Sequence, residues 1–142
     1  MLKQQFSQFN RILQGIEKIY ENYAKSVGLT YMSLTVLEII CHATESCTQK
    51  NICEDSHYNK QIVNSIIKGF IEDGYVELKE AVRDRRNKYV VLTESGKEYA
   101  DRILTPLSEL ENEALLTLTD DERILLLSLL DKCYKGYISA IK

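Results

Sequence analysis

Residues that interrupt helices are scarce in this chain, since its 142 residues include one proline and six glycines. This scarcity excludes collagen-like, linker-rich and low-complexity proteins, and it leaves too few turn residues for an all-β sandwich. Long helices are therefore expected. The apolar fraction of 44% and the charged fraction of 27% are typical of a globular protein, and the length suits a single domain over residues 1–142.

Long apolar runs are also missing. No stretch approaches the roughly 20 apolar residues of a membrane-spanning helix. No apolar run follows Lys3, so a secretory signal is not predicted either. We therefore expect a cytoplasmic protein with no membrane partner. In that compartment the four cysteines are expected to be reduced thiols: Cys41, Cys47, Cys53 and Cys133.

A strong excess of one charge is absent as well, since 18 basic and 21 acidic residues give a formal net charge of -3. Yet four basic residues and one acidic residue lie between Arg83 and Lys88, whereas residues 93–122 carry nine acidic and two basic residues. A phosphate backbone would be attracted to the basic segment alone. The alternative is that both segments are ordinary solvated surface.

The spacing of apolar residues predicts a mainly α fold of six helices with one two-stranded β-hairpin. The predicted helices cover residues 6–23, 33–43, 49–54, 59–73, 93–115 and 119–141, and the strands cover residues 75–81 and 89–92. Gly28 and Gly74 suit helix ends. Thr93 and Thr119 suit helix caps. Pro106 is expected to bend or break the fifth helix.

The fourth predicted helix, residues 59–73, has an unusual outer face. Opposite its apolar stripe lie only hydrogen-bonding or positive side chains: Lys60, Gln61, Asn64, Ser65 and Lys68. Ordinary solvent-exposed faces mix both charge signs. A helix in the major groove of DNA needs such donors and acceptors for the base edges. Asn64 and Gln61 suit adenine, and the two lysines suit guanine or phosphate.

The order of these elements predicts a winged helix-turn-helix over residues 33–92. The hairpin is the wing, and the arginines at its tip suit the narrow minor groove. Binding of double-stranded DNA is therefore predicted.

Both ends of the chain, residues 1–28 and 98–142, are more apolar than one small domain needs. The last predicted helix is apolar nearly all round, and a partner subunit is its natural cover. A homodimer with a dimerisation region from both termini is therefore predicted. Its two recognition helices would lie about one DNA turn apart and read a pseudo-palindrome.

Three short motifs lie in a fixed order around the predicted wing. They are Asp73-Gly74-Tyr75-Val76, Asp84-Arg85-Arg86-Asn87 and Leu92-Thr93-Glu94-Ser95-Gly96. With these motifs the chain resembles the MarR family of bacterial transcription regulators, and the helix order extends the resemblance over nearly the whole chain. The resemblance implies a homodimeric repressor that is released from DNA by a small-molecule ligand or an oxidant.

The resemblance also implies roles for residues of the wing. Arg86 would enter the minor groove, and Asp84 would brace the wing by pairing with an arginine. The predicted DNA contacts are Asn59, Lys60, Gln61, Asn64, Ser65 and Lys68 on the helix, with Arg83, Asp84, Arg85, Arg86 and Lys88 on the wing. Asn59 is also suited to cap the helix instead of reading bases. Ser65 stands where many relatives carry arginine, so a different operator preference is expected.

An effector site is predicted where the first two helices meet. The resemblance implies a small-molecule pocket there, and Tyr20, Tyr23 and Tyr31 lie at this junction. Apolar and phenolic groups would suit an aromatic or lipid-like effector. The alternative is that these tyrosines fill the core and hydrogen-bond locally.

The cysteines support weaker hypotheses. Relatives that sense oxidants use a cysteine in the first helix, which this chain lacks. Cys41 is interpreted as a core residue, and Cys47, in a polar turn, as an exposed and reactive thiol. The spacing of cysteine and histidine does not suit a metal, so no metal or other cofactor is predicted.

Enzymatic activity is not predicted, because the sequence has no glycine-rich phosphate loop, nucleophile elbow or metalloprotease helix. The alternative to a DNA-binding regulator is a winged-helix protein-interaction module without sequence-specific DNA binding. The overall acidity favours the module slightly. The arginines of the wing and the acid-free helix face favour the regulator.

Overall fold

The computed structural model describes residues 1–43, 47–81 and 86–141. Within these residues the chain forms six α-helices and two β-strands: α1 (Leu2–Ser26), α2 (Tyr31–His42), α3 (Gln49–Ser56), α4 (Lys60–Glu72), β1 (Val76–Glu80), β2 (Lys88–Leu92), α5 (Glu94–Leu115) and α6 (Asp120–Ala140). The predicted fold class is confirmed. The chain divides into two compact units, Met1–Ile103 and Leu104–Lys142.

Capping side chains explain where several helices begin. Thr30 accepts a hydrogen bond from the backbone N–H of Ser33 at 3.1 Å, so α2 starts two residues before the predicted start. Asn59 Oδ1 accepts from the backbone N–H of Ile62 at 2.9 Å and so begins α4. Reciprocal capping boxes begin two further helices: Thr48 with Asn51 for α3, and Thr119 with Glu122 for α6.

Helix α5 continues through Pro106 to Leu115, so the expected break is wrong, while the bend that was the other expectation stays a prediction. Proline removes the N–H that would pair with the carbonyl of Arg102. Both residues are exposed, and water can therefore bind that carbonyl.

The wing is an antiparallel hairpin in which Val76 pairs with Leu92 and Glu80 with Lys88. Strand β2 also contacts the residues that precede α3. The N–H of Val90 donates to the carbonyl of Cys47 at 2.7 Å, and Thr48 and Tyr89 form an isolated antiparallel bridge. These backbone bonds attach the wing to the start of α3.

We call α2, α3, α4, β1 and β2, residues 31–92, the winged lobe. Its described elements supply a closed apolar core: Leu34, Val36, Leu37, Ile40, Ile52, Val63, Ile67, Phe70, Val76 and Val90. The apolar stripe predicted on the fourth helix is confirmed. Val63, Ile67 and Phe70 are buried, and Ile62 and Ile66 are half-buried.

A hydrogen-bonded joint connects the end of α4 to the start of α5. Gly74 adopts a φ of +80°, which ends α4. Its carbonyl accepts from the hydroxyls of Thr93 at 2.6 Å and Ser95 at 3.0 Å. The N–H of Thr93 donates to the carbonyl of Tyr75 at 3.0 Å. The first and third motifs of the sequence thus bind each other directly.

Gly96 is required at this joint for lack of space. A Cβ atom there would lie 1.9 Å from the carbonyl oxygen of Tyr75, so any side chain would displace the backbone. Next to this contact the rings of Tyr75 and Tyr99 stack with centroids 3.9 Å apart. The joint therefore sets the position of α4 relative to the first turns of α5.

The terminal helices leave many apolar side chains exposed. In α1, Phe6, Ile12, Leu13, Ile16 and Ile19 are exposed, and Ala24 is buried. Helix α6 has no buried residue among those described. Within the described part of the chain, no single helix has the length and apolar character to span a membrane. Helices α1 and α2 meet those criteria only as a pair bent by 85°.

Candidate nucleic-acid interface

The outer face of α4 carries the side chains that the sequence assigns to DNA. Lys60, Gln61, Asn64, Ser65 and Lys68 are all exposed, as predicted. They stay on this face because the other side of the helix packs into the core of the winged lobe.

Asn59, in contrast, has its side-chain oxygen engaged in the cap of α4. Its capping role is therefore confirmed.

A concave groove of about 680 Å³ lies between the start of α3, the start of α4 and the wing. We call it the basic groove. Its lining residues are Thr48, Gln49, Lys50, Cys53, Tyr58, Asn59, Lys60, Leu78, Arg86, Asn87 and Lys88. Four predicted DNA contacts, Asn59, Lys60, Arg86 and Lys88, are brought together here.

The electrostatics of the basic groove are one-sided. Four of its lining residues are basic and, among the residues described, none is acidic. Lys50, Lys60 and Lys88 make no ion pair within the described ranges, whereas Lys79 on β1 pairs with Glu77 at 3.8 Å. These three lysines therefore present positive charge that no carboxylate of the described residues pairs with.

The tip of the wing is described in part. Arg83, Asp84 and Arg85, which are predicted DNA contacts, lie outside the described residues. Arg86 is exposed and lines the basic groove. The carbonyl of Asn87 accepts from the N–H of Ala81 at 3.2 Å and closes the described end of the hairpin.

Sequence reasoning missed the contribution of α3 to this surface. Thr48, Gln49 and Lys50 line the basic groove, although no role was predicted for them. The sequence does contain one indication of this role, because Lys50 lies in the first turn of α3, the helix that precedes α4. Cys47 and Thr48 also pair with β2 and so bring the start of α3 to the wing. The residues around them contain no sequence pattern that predicts this pairing.

The three tyrosines of the predicted effector site have two different environments. The rings of Tyr20 and Tyr31 stack with centroids 5.8 Å apart and planes inclined by 13°. The hydroxyl of Tyr23 instead donates a short hydrogen bond to the carbonyl of Ile103. Local hydrogen bonding, the alternative interpretation, thus holds for Tyr23. An effector role for these residues stays a prediction.

Two of these tyrosines have a raised pKa, which favours the neutral hydroxyl. Burial is the main cause that raises the pKa of Tyr31, and the neighbouring Tyr58 and glutamates add to it. Burial also raises the pKa of Tyr23.

The prediction that Cys47 is exposed is wrong. Its side chain is 5% exposed, because the backbone at this position pairs with β2 and draws the residue into the lobe. Burial, and then Asp55, raises the pKa of the Cys47 thiol, which disfavours the reactive thiolate. Cys41 is half-buried and its pKa is raised by burial.

Clusters of three or more metal-ligating side chains are absent from the described ranges.

Comparison with known proteins places residues 27–87 in the MarR family model. The match covers α2 to α4, β1 and the groove residues Arg86 and Asn87. A search of curated proteins by sequence gives no significant match.

Several solved structures share the fold over most of the chain. The MarR family regulator NMB1585 from Neisseria meningitidis is 27% identical, with a TM-score of 0.83 and 96% of each chain covered. MepR of S. aureus in complex with DNA is 16% identical, with a TM-score of 0.75 and coverage of 90% of this chain and 97% of that one. MarR of Staphylococcus aureus in complex with salicylate and kanamycin is 18% identical, with a TM-score of 0.76 and coverage of 99% and 95%.

Proposed function

We propose that this chain, which belongs to the MarR family, is a cytoplasmic, homodimeric transcription regulator that binds a specific DNA sequence. The observation that carries the proposal is the basic groove beside the acid-free outer face of α4. A duplex offers base edges to such a face and phosphates to such a groove. The DNA complex of the similarly folded MepR supports this assignment.

In this proposal α4 is the recognition helix and lies in the major groove. Gln61 and Asn64 each offer an amide that donates and accepts, which suits adenine, while Lys68 suits guanine or phosphate. The wing lies beside the helix, and Arg86 extends from it into the adjacent minor groove, where the potential is most negative. Arg83 and Arg85 add positive charge to the tip by sequence.

The dimer is proposed from the exposed apolar residues of the terminal helices. Helix α6 exposes Ile124 by 68% and Leu127 by 67%, and several neighbours by more than a third. A second copy of the chain would remove these side chains from water at roughly 25 cal/mol per Å² of apolar area. Two-fold symmetry then presents two recognition helices to the two halves of a pseudo-palindrome.

We further propose that the regulator is a repressor released by a small aromatic or lipid-like ligand. The stacked Tyr20 and Tyr31 offer an aromatic surface that suits such a ligand. The salicylate held by the similarly folded S. aureus protein supports a small-molecule effector. Release by an oxidant through Cys47 has less support, since that thiol is buried.

Fluorescence anisotropy tests the proposal. The DNA upstream of the protein's own gene, and duplexes selected from a random pool, are titrated against scrambled duplexes at two salt concentrations. Tight binding with a clear sequence preference is expected. Equal, weak binding to all duplexes would contradict the proposal and favour a protein-interaction module. Addition of aromatic ligands in the same assay then tests for release.

A further inference from the structure

We infer that the basic groove holds backbone phosphates of duplex DNA and that Lys50, on α3, is one of the residues that bind them. The inference rests on the proposed function and adds a third element to the DNA contacts of α4 and the wing. It begins from the convergence of Lys50, Lys60 and Lys88, which come from three different elements, on one concave surface.

The chemistry of the groove favours phosphate over base edges. Lysine is a point charge without acceptors. It can donate to guanine, but it binds phosphate oxygens whatever the sequence, and phosphates follow the whole length of a duplex. The three lysines are exposed and make no ion pair within the described ranges, so binding would break no salt bridge among those residues. Adenine-reading amides such as Asn64 lie instead on the outer face of α4, outside the lining of the groove.

The position of the groove favours a DNA strand over a small anion. The groove adjoins the start of α4, where Lys60 belongs both to its lining and to the outer face of the helix. A duplex that places base edges along that face must pass a backbone close to the helix start. The groove has a volume of about 680 Å³, and its basic residues come from α3, α4 and the wing, so its positive charge is spread over several elements as a strand requires.

The attachment of the wing explains why Lys50 lies at this surface. Hydrogen bonding between Val90 and Cys47 fixes the residue two positions before α3 to β2. The first turn of α3 is thereby held beside the strand that carries Lys88. Lys50 and Lys88 then approach the same strand of DNA from α3 and from the wing.

The salt dependence of DNA binding tests this inference. Lys50→Ala is compared with the wild type on an operator duplex and on a scrambled duplex, between about 50 and 200 mM salt. Loss of one phosphate contact is expected to reduce the slope of log K against log salt by about 0.9. The affinity should fall by the same factor on both duplexes, and Lys50→Arg should restore most of it.

Lys79→Ala is the matched control, because Lys79 is an exposed lysine of the same lobe that pairs with Glu77 and lies outside the groove. It should leave the slope unchanged. An unchanged slope for Lys50→Ala, or a loss confined to the operator, would overturn the inference. Equal melting temperatures show that the variants are folded.

The same titrations separate the inference from the proposed function. If the wild type prefers no sequence and Lys50→Ala still lowers the slope, the proposed function fails and the phosphate contact stands. If the wild type prefers its operator and the variant matches it in slope, only the inference fails. If the wild type binds no duplex at all, both fail.

Discussion

The winged lobe and helix α6 use their apolar residues in opposite ways. In the lobe, Leu34, Leu37 and Ile67 are each at most 1% exposed. In α6, Leu127 is 67% exposed and Leu129 is 54% exposed. These apolar residues of the lobe are therefore buried within the chain, whereas α6 leaves apolar surface exposed. The difference agrees with the proposed division of roles, in which α6 assembles the dimer and the lobe binds DNA.

The charged residues of the two regions differ as well. In α6, Asp120, Asp121 and Glu122 stand in the first turn, where the helix dipole stabilises negative charge. Hydrogen bonds from Thr119 lower the pKa of the Glu122 carboxyl, so this residue is held in its charged form as part of the capping box. The acidic residues of α6 have a structural explanation. The lysines of the basic groove have no ion pair within the described residues, and the proposed DNA would supply their partner.

The largest expected effect is on dimerisation through α6. Leu127→Asp together with Leu130→Asp should weaken dimerisation by roughly 4 kcal/mol or more, because each protomer loses apolar burial and would bury a carboxylate. Sedimentation velocity over a range of concentrations measures it. Leu78→Asp is the control, since Leu78 is an exposed leucine of the lobe and should leave the dimer intact. A fully dimeric double variant would contradict the proposed interface.

The second effect breaks the joint between the lobe and α5. Gly96→Ala should destabilise the protein by about 3 kcal/mol, because its Cβ would meet the carbonyl of Tyr75. The shift of the urea unfolding midpoint measures the loss. Gly69→Ala in α4 is the matched control, since its Cβ would have nothing within 4 Å. That variant should be neutral or more stable by about 0.5–1 kcal/mol. Equal stability of both variants would refute the account of the joint.

The third effect concerns recognition by the lobe. Arg86→Ala should weaken binding to the operator by about 1–3 kcal/mol if Arg86 occupies the minor groove. Arg102→Ala, on an exposed arginine of α5 outside the groove, should change binding little. Anisotropy titrations of both variants measure the difference. Undiminished affinity of Arg86→Ala would remove Arg86 from the DNA contacts.

The smallest expected effect is on the rate at which Cys47 is alkylated. Because burial raises the pKa of Cys47, its thiolate fraction near neutral pH is lower in the folded protein than in the unfolded chain. Iodoacetamide should therefore alkylate Cys47 more slowly in the native protein than in urea, and the native rate should rise as pH rises toward the elevated pKa. Mass spectrometry of the peptide follows the reaction. Equal rates in both states would show that the thiol is accessible.

The elements that the sequence predicted well are those with local patterns. The apolar stripe of α4 and the cap at Asn59 depend on neighbours within one or two helical turns. The glycine at Gly74 and the motif that ends at Gly96 were recognised separately, and the structure explains their spacing by direct hydrogen bonds. The start of α2 was predicted two residues too late, because Thr30 caps the helix before Ser33.

The features that the sequence did not predict depend on pairing between distant segments. The bond from Val90 to Cys47 joins positions on either side of α3 and α4, and it both buries Cys47 and brings Lys50 to the groove. The spacing of apolar residues near Cys47 or near Val90 does not predict that bond. The helix is not broken at Pro106 for another reason, because the cost of a proline depends on the exposure of the carbonyl that loses its partner.

The central claim is that two copies of the lobe read the two halves of one operator. Sedimentation of the protein with a selected operator duplex tests it most directly, with a half-site duplex and a scrambled duplex alongside. The account predicts two protomers on each operator and much weaker binding to the half site and the scrambled duplex. A single protomer bound to the full operator with undiminished affinity, or equal binding to all three duplexes, would contradict it.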